Sequence, residues 1–326
     1  FDLAGSAMWT NYSDVNGHRN RANGKLEYVT LQFPLYKRYI AFSAGLMPYS
    51  TMGYDFSIAG ATGGHNYTIT YSGEGNIAQA YGGLSFNICD WFALGANFYY
   101  MFGDLQNSTS LAFYESSLVG SLMYRTMHVS SWRGRYGAQF FHSFDDKHAF
   151  VLGAIFESKL NLKGTYLQYE LNTVDSVMLT DQGFDVPMIW GVGGSYTYHN
   201  RLTFALDYTM QAWSKARYFD ATGVLSDRGR WSAGFQYRHN PNGRKYVDRV
   251  YWRAGMIFAD PYVSGCNKMD IGASIGVGLP LRTSATMINL TLDYNHRNAT
   301  NTMQENVLKF TVSAAVNEHW FFKRKL

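Results

Sequence analysis

No run of about 18 apolar residues occurs anywhere in this 326-residue chain, so it contains no candidate transmembrane helix. Charge is scarce, with Asp, Glu, Lys and Arg making up 16% of residues against the usual quarter. The net charge of +4 comes from scattered Lys and Arg, which leaves no basic patch for nucleic acid. Nine histidines stand singly, without the spacing of a metal pair, and Gly191-Val-Gly-Gly194 sits inside a strand pattern rather than a phosphate loop. Asp145, Asp146, His148, His142 and Ser143 cluster at one tight turn, where they read as turn polarity. No catalytic, metal-binding or cofactor-binding set emerges, and the chain reads as a non-enzyme. The two cysteines, Cys89 and Cys266, fall at opposite ends of the layout below, too far apart to bridge. Phe1 follows no basic, apolar leader, so the chain reads as processed or trimmed.

Aromatic residues and alternation are abundant instead. Phe, Trp and Tyr account for 17% of the chain, while its mean hydropathy is only −0.23. In Met269–Leu281, alternate positions (Met269, Ile271, Ala273, Ile275, Val277) are apolar, and Asp270, Gly272, Ser274, Gly276 and Gly278 lie between them. Ile288, Leu290, Leu292 and Tyr294 repeat the pattern against Asn289, Thr291 and Asp293. A two-residue period with one apolar and one small polar face, repeated around a closed sheet, makes a transmembrane β-barrel. A soluble sandwich or propeller competes on composition alone.

Taken in order, the chain gives about fourteen such strands in one domain, 1–326, with tight turns alternating with longer polar loops. The loops are read at 13–24, 49–75, 103–117, 172–185 and 216–230. Short periplasmic turns and long extracellular loops are the habit of outer-membrane barrels, and place the protein in the bacterial outer membrane among its lipids. Tyr36, Tyr39, Trp91, Phe92, Phe144, Tyr198 and Trp320 bunch beside the turns as an interfacial girdle. Asn317-Glu-His-Trp320 reads as a last turn, leaving Phe321–Leu326 as a periplasmic stub.

Three phrases carry a family resemblance: Gly45-Leu-Met-Pro-Tyr-Ser-Thr-Met-Gly-Tyr-Asp-Phe56, Tyr71-Ser-Gly-Glu-Gly-Asn76 running into Ala80–Ser85, and Trp320-Phe-Phe-Lys-Arg-Lys325. Together they resemble the Bacteroidota branch of the FadL-type outer-membrane transporters. That resemblance implies a fourteen-stranded barrel that takes up hydrophobic molecules such as long-chain fatty acids, plugged by an N-terminal hatch. No hatch segment with an Asn-Pro-Ala-like signature precedes Phe1, a departure that sets the transport reading against another.

Two functions therefore stand side by side. One is passage of a hydrophobic small molecule, with Tyr49, Tyr54, Phe56, Phe98, Tyr100 and Phe102 as the expected ligand region. The other is a non-transporting accessory barrel in a stable complex with other outer-membrane proteins, serving their assembly or secretion. The inward charges Asp207, Arg238, Arg253, Asp270, Asp293 and Lys309 either pair across strands to hold the barrel or line an aqueous route; their mixed signs favour pairing.

Overall fold

The computed structural model describes residues 1–14, 17–115, 118–162, 164–170, 177–179, 184–217, 222–223, 225–241, 243–261, 263–266, 268–281, 286–298 and 303–317. The alternating stretches become β1 (Asp2–Asp14), β2 (Gly17–Tyr36), β3 (Ile40–Thr62), β4 (His65–Cys89), β5 (Phe92–Phe113), β6 (Ser121–Ser143) and β7 (His148–Glu157). Four short strands follow: β8 (Leu160–Leu162), β9 (Gly164–Glu170), β10 (Val177–Leu179) and β11 (Phe184–Val186). The wall then resumes with β12 (Ile189–Tyr198), β13 (Leu202–Gln211), β14 (Arg228–Arg238), β15 (Tyr251–Ala259), β16 (Asp270–Pro280), β17 (Met287–Asn298) and β18 (Gln304–Ala315).

Strands β1–β7 and β12–β18 pair antiparallel in sequence, β7 with β12 and β18 with β1, giving a closed fourteen-stranded barrel. Closure removes the free sheet edges that an open sheet would expose to lipid. The chain ends reinforce it, with Val316 N–H donating to the Phe1 carbonyl at 2.8 Å. Tight turns join the strands at one rim. At His199 and Asn200 both φ angles are positive (52° and 53°), the two-residue geometry whose twist matches a hairpin.

The registers put the expected residues on the lipid side: Leu206 opposite Ala233, Trp231 opposite Phe258, Ile275 opposite Ala254 and Leu292. Ile275 is 63% exposed, as a lipid-facing residue must be once the lipid is taken away. Two aromatic belts bound this band. Tyr36, Trp91 and Phe144 mark the turn rim, while Trp190, Tyr208 and Trp231 pack ring against ring, edge-on and tilted, at 5.6 and 4.6 Å towards the other. From Trp190 to Tyr198 β12 runs nine residues, about 26 Å along the strand, the length of a tilted membrane-crossing strand. Trp320 and the stub Phe321–Leu326 lie outside the described residues.

Three of the expected loops are strand instead. Positions 13–24, 49–75 and 103–117 largely continue β1 to β5, and β3, β4, β5 and β6 reach 23, 25, 22 and 23 residues. A crossing needs only 9–11. The alternation persists in this raised wall, but its polarity is reversed. On the outer face, Ser57 meets Thr70 at 2.9 Å and Ser72 meets Ser108 at 2.6 Å, a ladder of hydroxyls. The face continuous with the lumen carries Phe56 stacked on Tyr71 at 5.2 Å, Ile58 opposite Ile69, and Tyr67 against Phe113. The reversal falls at the row Asn76, Asp104 and His128, which pair across β4, β5 and β6 where Ala78, Phe102 and Ser130 end the lipid face. Water outside and apolar contact inside replace lipid outside and water inside, so the same period changes sign.

Candidate functional site: a tongue in the lumen and a raised wall

One wall strand departs from the barrel. β7 pairs with β6 only from Arg135 onward, and β9 pairs with β6 only up to Val129. Between them the ladder is interrupted, and β8 turns off the wall to pair with β11. This two-stranded tongue is rooted by burial and by charge. Leu162 and Val186 are 1% and 0% exposed and pack with the inward side chains Ile77, Met101, Met127 and Val129. Each fully buried aliphatic side chain of this kind contributes roughly 1.5–3 kcal/mol.

The charges sit at the tongue's base. Arg133, inward from β6, meets Glu157 at 2.8 Å and donates to the Ser158 and Pro187 carbonyls at 3.2 and 2.6 Å. It thereby ties both ends of the tongue to the broken stretch of wall. Arg135 adds a second contact to Glu157 at 2.5 Å. With Arg133 and Glu157 only 2% and 4% exposed, neither charge is tolerable without the other. On the tongue, Asp185 is met by Lys159 at 2.7 Å and Arg217 at 3.5 Å, and accepts the Arg217 N–H at 3.0 Å. Burial would raise its pKa, but the Lys159 hydrogen bond, the Arg217 N–H and both positive charges outweigh it and hold the pKa below its ordinary value.

On the turn-rim side of the tongue lies a cavity of about 780 Å³, lined by Asn97, Arg135, Gln139, Asp207, Thr209 and Arg230 among others. Two of its side chains fit only because their neighbours are glycine. A Cβ at Gly193 would meet Asp207 at 1.8 Å, and one at Gly83 would meet Asn97 at the same distance. The inward surface is therefore smooth and mixed, with Ala93, Val151 and Ile155 beside the polar side chains.

The six expected lumen charges all point inward, and most have partners on adjacent strands. Asp293 lies 3.7 Å from Lys309, which is equally close to Glu27. Arg228 bonds Asp270 at 2.9 Å. Arg253 donates to Gln236 and Asn289 at 2.8 and 2.7 Å, and Arg238 to Tyr251 at 2.5 Å. Asp207 lies apart in the cavity wall.

The six expected ligand residues are not brought together. Tyr49 packs beneath the tongue's core, whereas Tyr54 and Phe56 stand on the inner face of the raised wall. Phe98, Tyr100 and Phe102 face outward, Tyr100 tilted against Trp132 at 5.0 Å at the membrane's upper belt. Sequence reading missed Arg133, Arg135, Glu157 and Asp185. The available signal was the break in alternation at Glu157-Ser-Lys159, in the middle of what reads as one long strand. Among the described residues, no three metal-ligating side chains converge. Cys89 sits at the β4–β5 turn and Cys266 is buried at the opposite end, beside the Asn298 carbonyl.

Comparison with solved structures places the fold. A FadL homologue of Pseudomonas aeruginosa superposes with a TM-score of 0.65 at 14% identity, over 98% of this chain and 90% of that one. The toluene transporter TodX of Pseudomonas putida gives 0.65 at 16% identity, over 98% and 90%. The monoaromatic hydrocarbon channel CymD gives 0.60 at 13%, over 98% and 89%. These neighbours are transport channels, and at such identities they establish the FadL-like outer-membrane barrel fold alone. No curated protein matches the sequence. A family model does, across residues 1–326, and by that match the chain belongs to the BamG family.

Proposed function

We propose that this barrel is a non-transporting accessory subunit of an outer-membrane protein assembly or secretion complex, in which the wall and its raised extension are the working surfaces. The observation that carries this reading is the charged tongue in the lumen. A hydrophobic molecule gains about 0.8 kcal/mol for each methylene it buries in an apolar site. Along this lumen it would meet the charged cluster of Arg133, Glu157 and Arg135 instead. The family's name also points towards outer-membrane protein partners.

Passage of hydrophobic small molecules is the second reading. It is favoured by the interrupted ladder between β6 and β7 and by the likeness to the toluene transporter and the hydrocarbon channel. The deciding experiment is a pull-down of the tagged protein from native membranes in mild detergent, followed by mass spectrometry. Stoichiometric outer-membrane proteins are expected. A lone barrel carrying bound fatty acid or another hydrophobic compound would overturn the accessory reading in favour of transport.

A further inference from the structure

The β2–β3 ladder ends at the Val29–Leu46 pair, yet β3 runs on to Thr62, bonded along its length to β4. Beyond Leu46, no described strand pairs with the other side of β3. On its other side β2 stays paired with β1 from Gly17 to Thr30, so its own edge also faces the split. Arg21 of β2 bridges the start of the split, since a Cβ on Gly53 would lie 3.3 Å from its guanidinium. Past that bridge, Asp55–Thr62 is an extended edge.

Natural edges of this length are normally blocked by lysines, proline or a bulge. This one holds a single charge, Asp55, no proline, and no register shift beyond Ser50. A row of backbone donors and acceptors at strand spacing is recognised by another backbone rather than by a lipid or a small molecule. The flanking side chains add detail. Phe56 and Ile58 are 51% and 53% exposed on one face, and Ser57 lies on the other. Across the split, Arg19 and Arg21 are exposed and have no ion pair among the described residues.

We infer that the Asp55–Thr62 edge takes up an extended strand of a second outer-membrane protein, which adds to β3 backbone to backbone. This rests on the accessory-subunit reading and gives it a docking site. The incoming strand places apolar side chains against Phe56 and Ile58, small polar ones beside Ser57, and acidic ones towards Arg19 and Arg21. A second copy of this chain offers little of that acidity, since Asp55 is the only carboxylate on its own edge.

The test uses the tagged full-length chain in native membranes, with a photo-crosslinking amino acid placed singly at each position from 55 to 62. It also uses the double variant Phe56→Lys/Ile58→Lys. Expected are adducts to one outer-membrane protein that rise and fall with a period of two residues. The double variant should lose at least about tenfold of that partner while keeping the heat-modifiable gel mobility of a folded barrel. Undiminished partner recovery from the folded double variant places the docking elsewhere and overturns the inference, leaving the accessory reading intact. Adducts only to lipid or to a second copy overturn it as well. Absence of any partner from the wild-type pull-down removes the accessory reading itself.

Discussion

Strands β13 to β17 span 9 to 12 residues, whereas β3 to β6 span 22 to 25. Both walls use the same two-residue alternation. In the short wall, apolar side chains meet lipid and polar ones meet the lumen. In the raised wall, beyond Asn76, Asp104 and His128, hydroxyls face out and aromatics face in. The period fixes that a strand has two faces; the medium on each side fixes which face is which. The raised wall therefore stands above the membrane layer, and the tongue is anchored where the two walls meet.

The largest effect is expected at that anchor. Glu157→Ala leaves Arg133 buried and uncompensated and should cost about 3–5 kcal/mol, read as a lower denaturant midpoint for unfolding from liposomes. The double change Arg133→Met/Glu157→Leu should recover most of the loss. An equal loss in both would mean that the pair's geometry, rather than charge burial, holds the tongue.

The sign reversal can be tested directly. Ile275→Arg, at the middle of the short wall's lipid face, should destabilise the barrel by about 2–4 kcal/mol. Ala112→Arg, at an outward position of raised β5, should change stability by no more than about 0.5 kcal/mol. Equal costs at the two sites would place the raised wall in lipid and erase the distinction.

A pH titration separates the tongue from the wall. Because the Asp185 pKa is held below its ordinary value, its contribution is fully present above the unfolded pKa, about 3.9. It is lost as the pH falls through the lower folded value. Hydrogen exchange at Leu160–Leu162 should accelerate over that acidic range while β13–β17 stay protected. Asp185→Asn should abolish the pH dependence. Parallel acceleration in the short wall would contradict the tongue's independence.

The smallest effect is expected at the tips. The β3–β4 turn uses Gly63 and Gly64 at φ 60° and 84°, but the β12–β13 turn places His199 and Asn200 in the left-handed region. Replacing His199 with Gly should stabilise the short wall by no more than about 1 kcal/mol, measured in the same unfolding assay.

The barrel was legible in the sequence because its outward apolar rows, such as Leu202, Phe204, Leu206 and Tyr208, obey one strict period. The strand count of fourteen and the inward charges followed from the same pattern. The raised wall reads as loop in the sequence because it lacks the apolar outer row of a membrane strand, Ser57, Ser72 and Ser108 standing there instead. The ligand region was assembled from aromatics close in sequence. Phe98 and Tyr100 belong to the lipid face and Tyr54 to the inner face of the raised wall, a separation that depends on parity relative to a membrane edge not marked in the chain.

By itself, the sequence determined the alternation, the turns and therefore the closed barrel, since each is a local property of residues two to four apart. Tertiary structure decided the rest. Arg133 and Glu157 lie 24 positions apart, and Asp185 is 26 from Lys159, so no local pattern announces the charges that root the tongue. The edge of β3 exists only because the β2–β3 ladder stops at Val29 and Leu46, a long-range register that neither strand announces by itself.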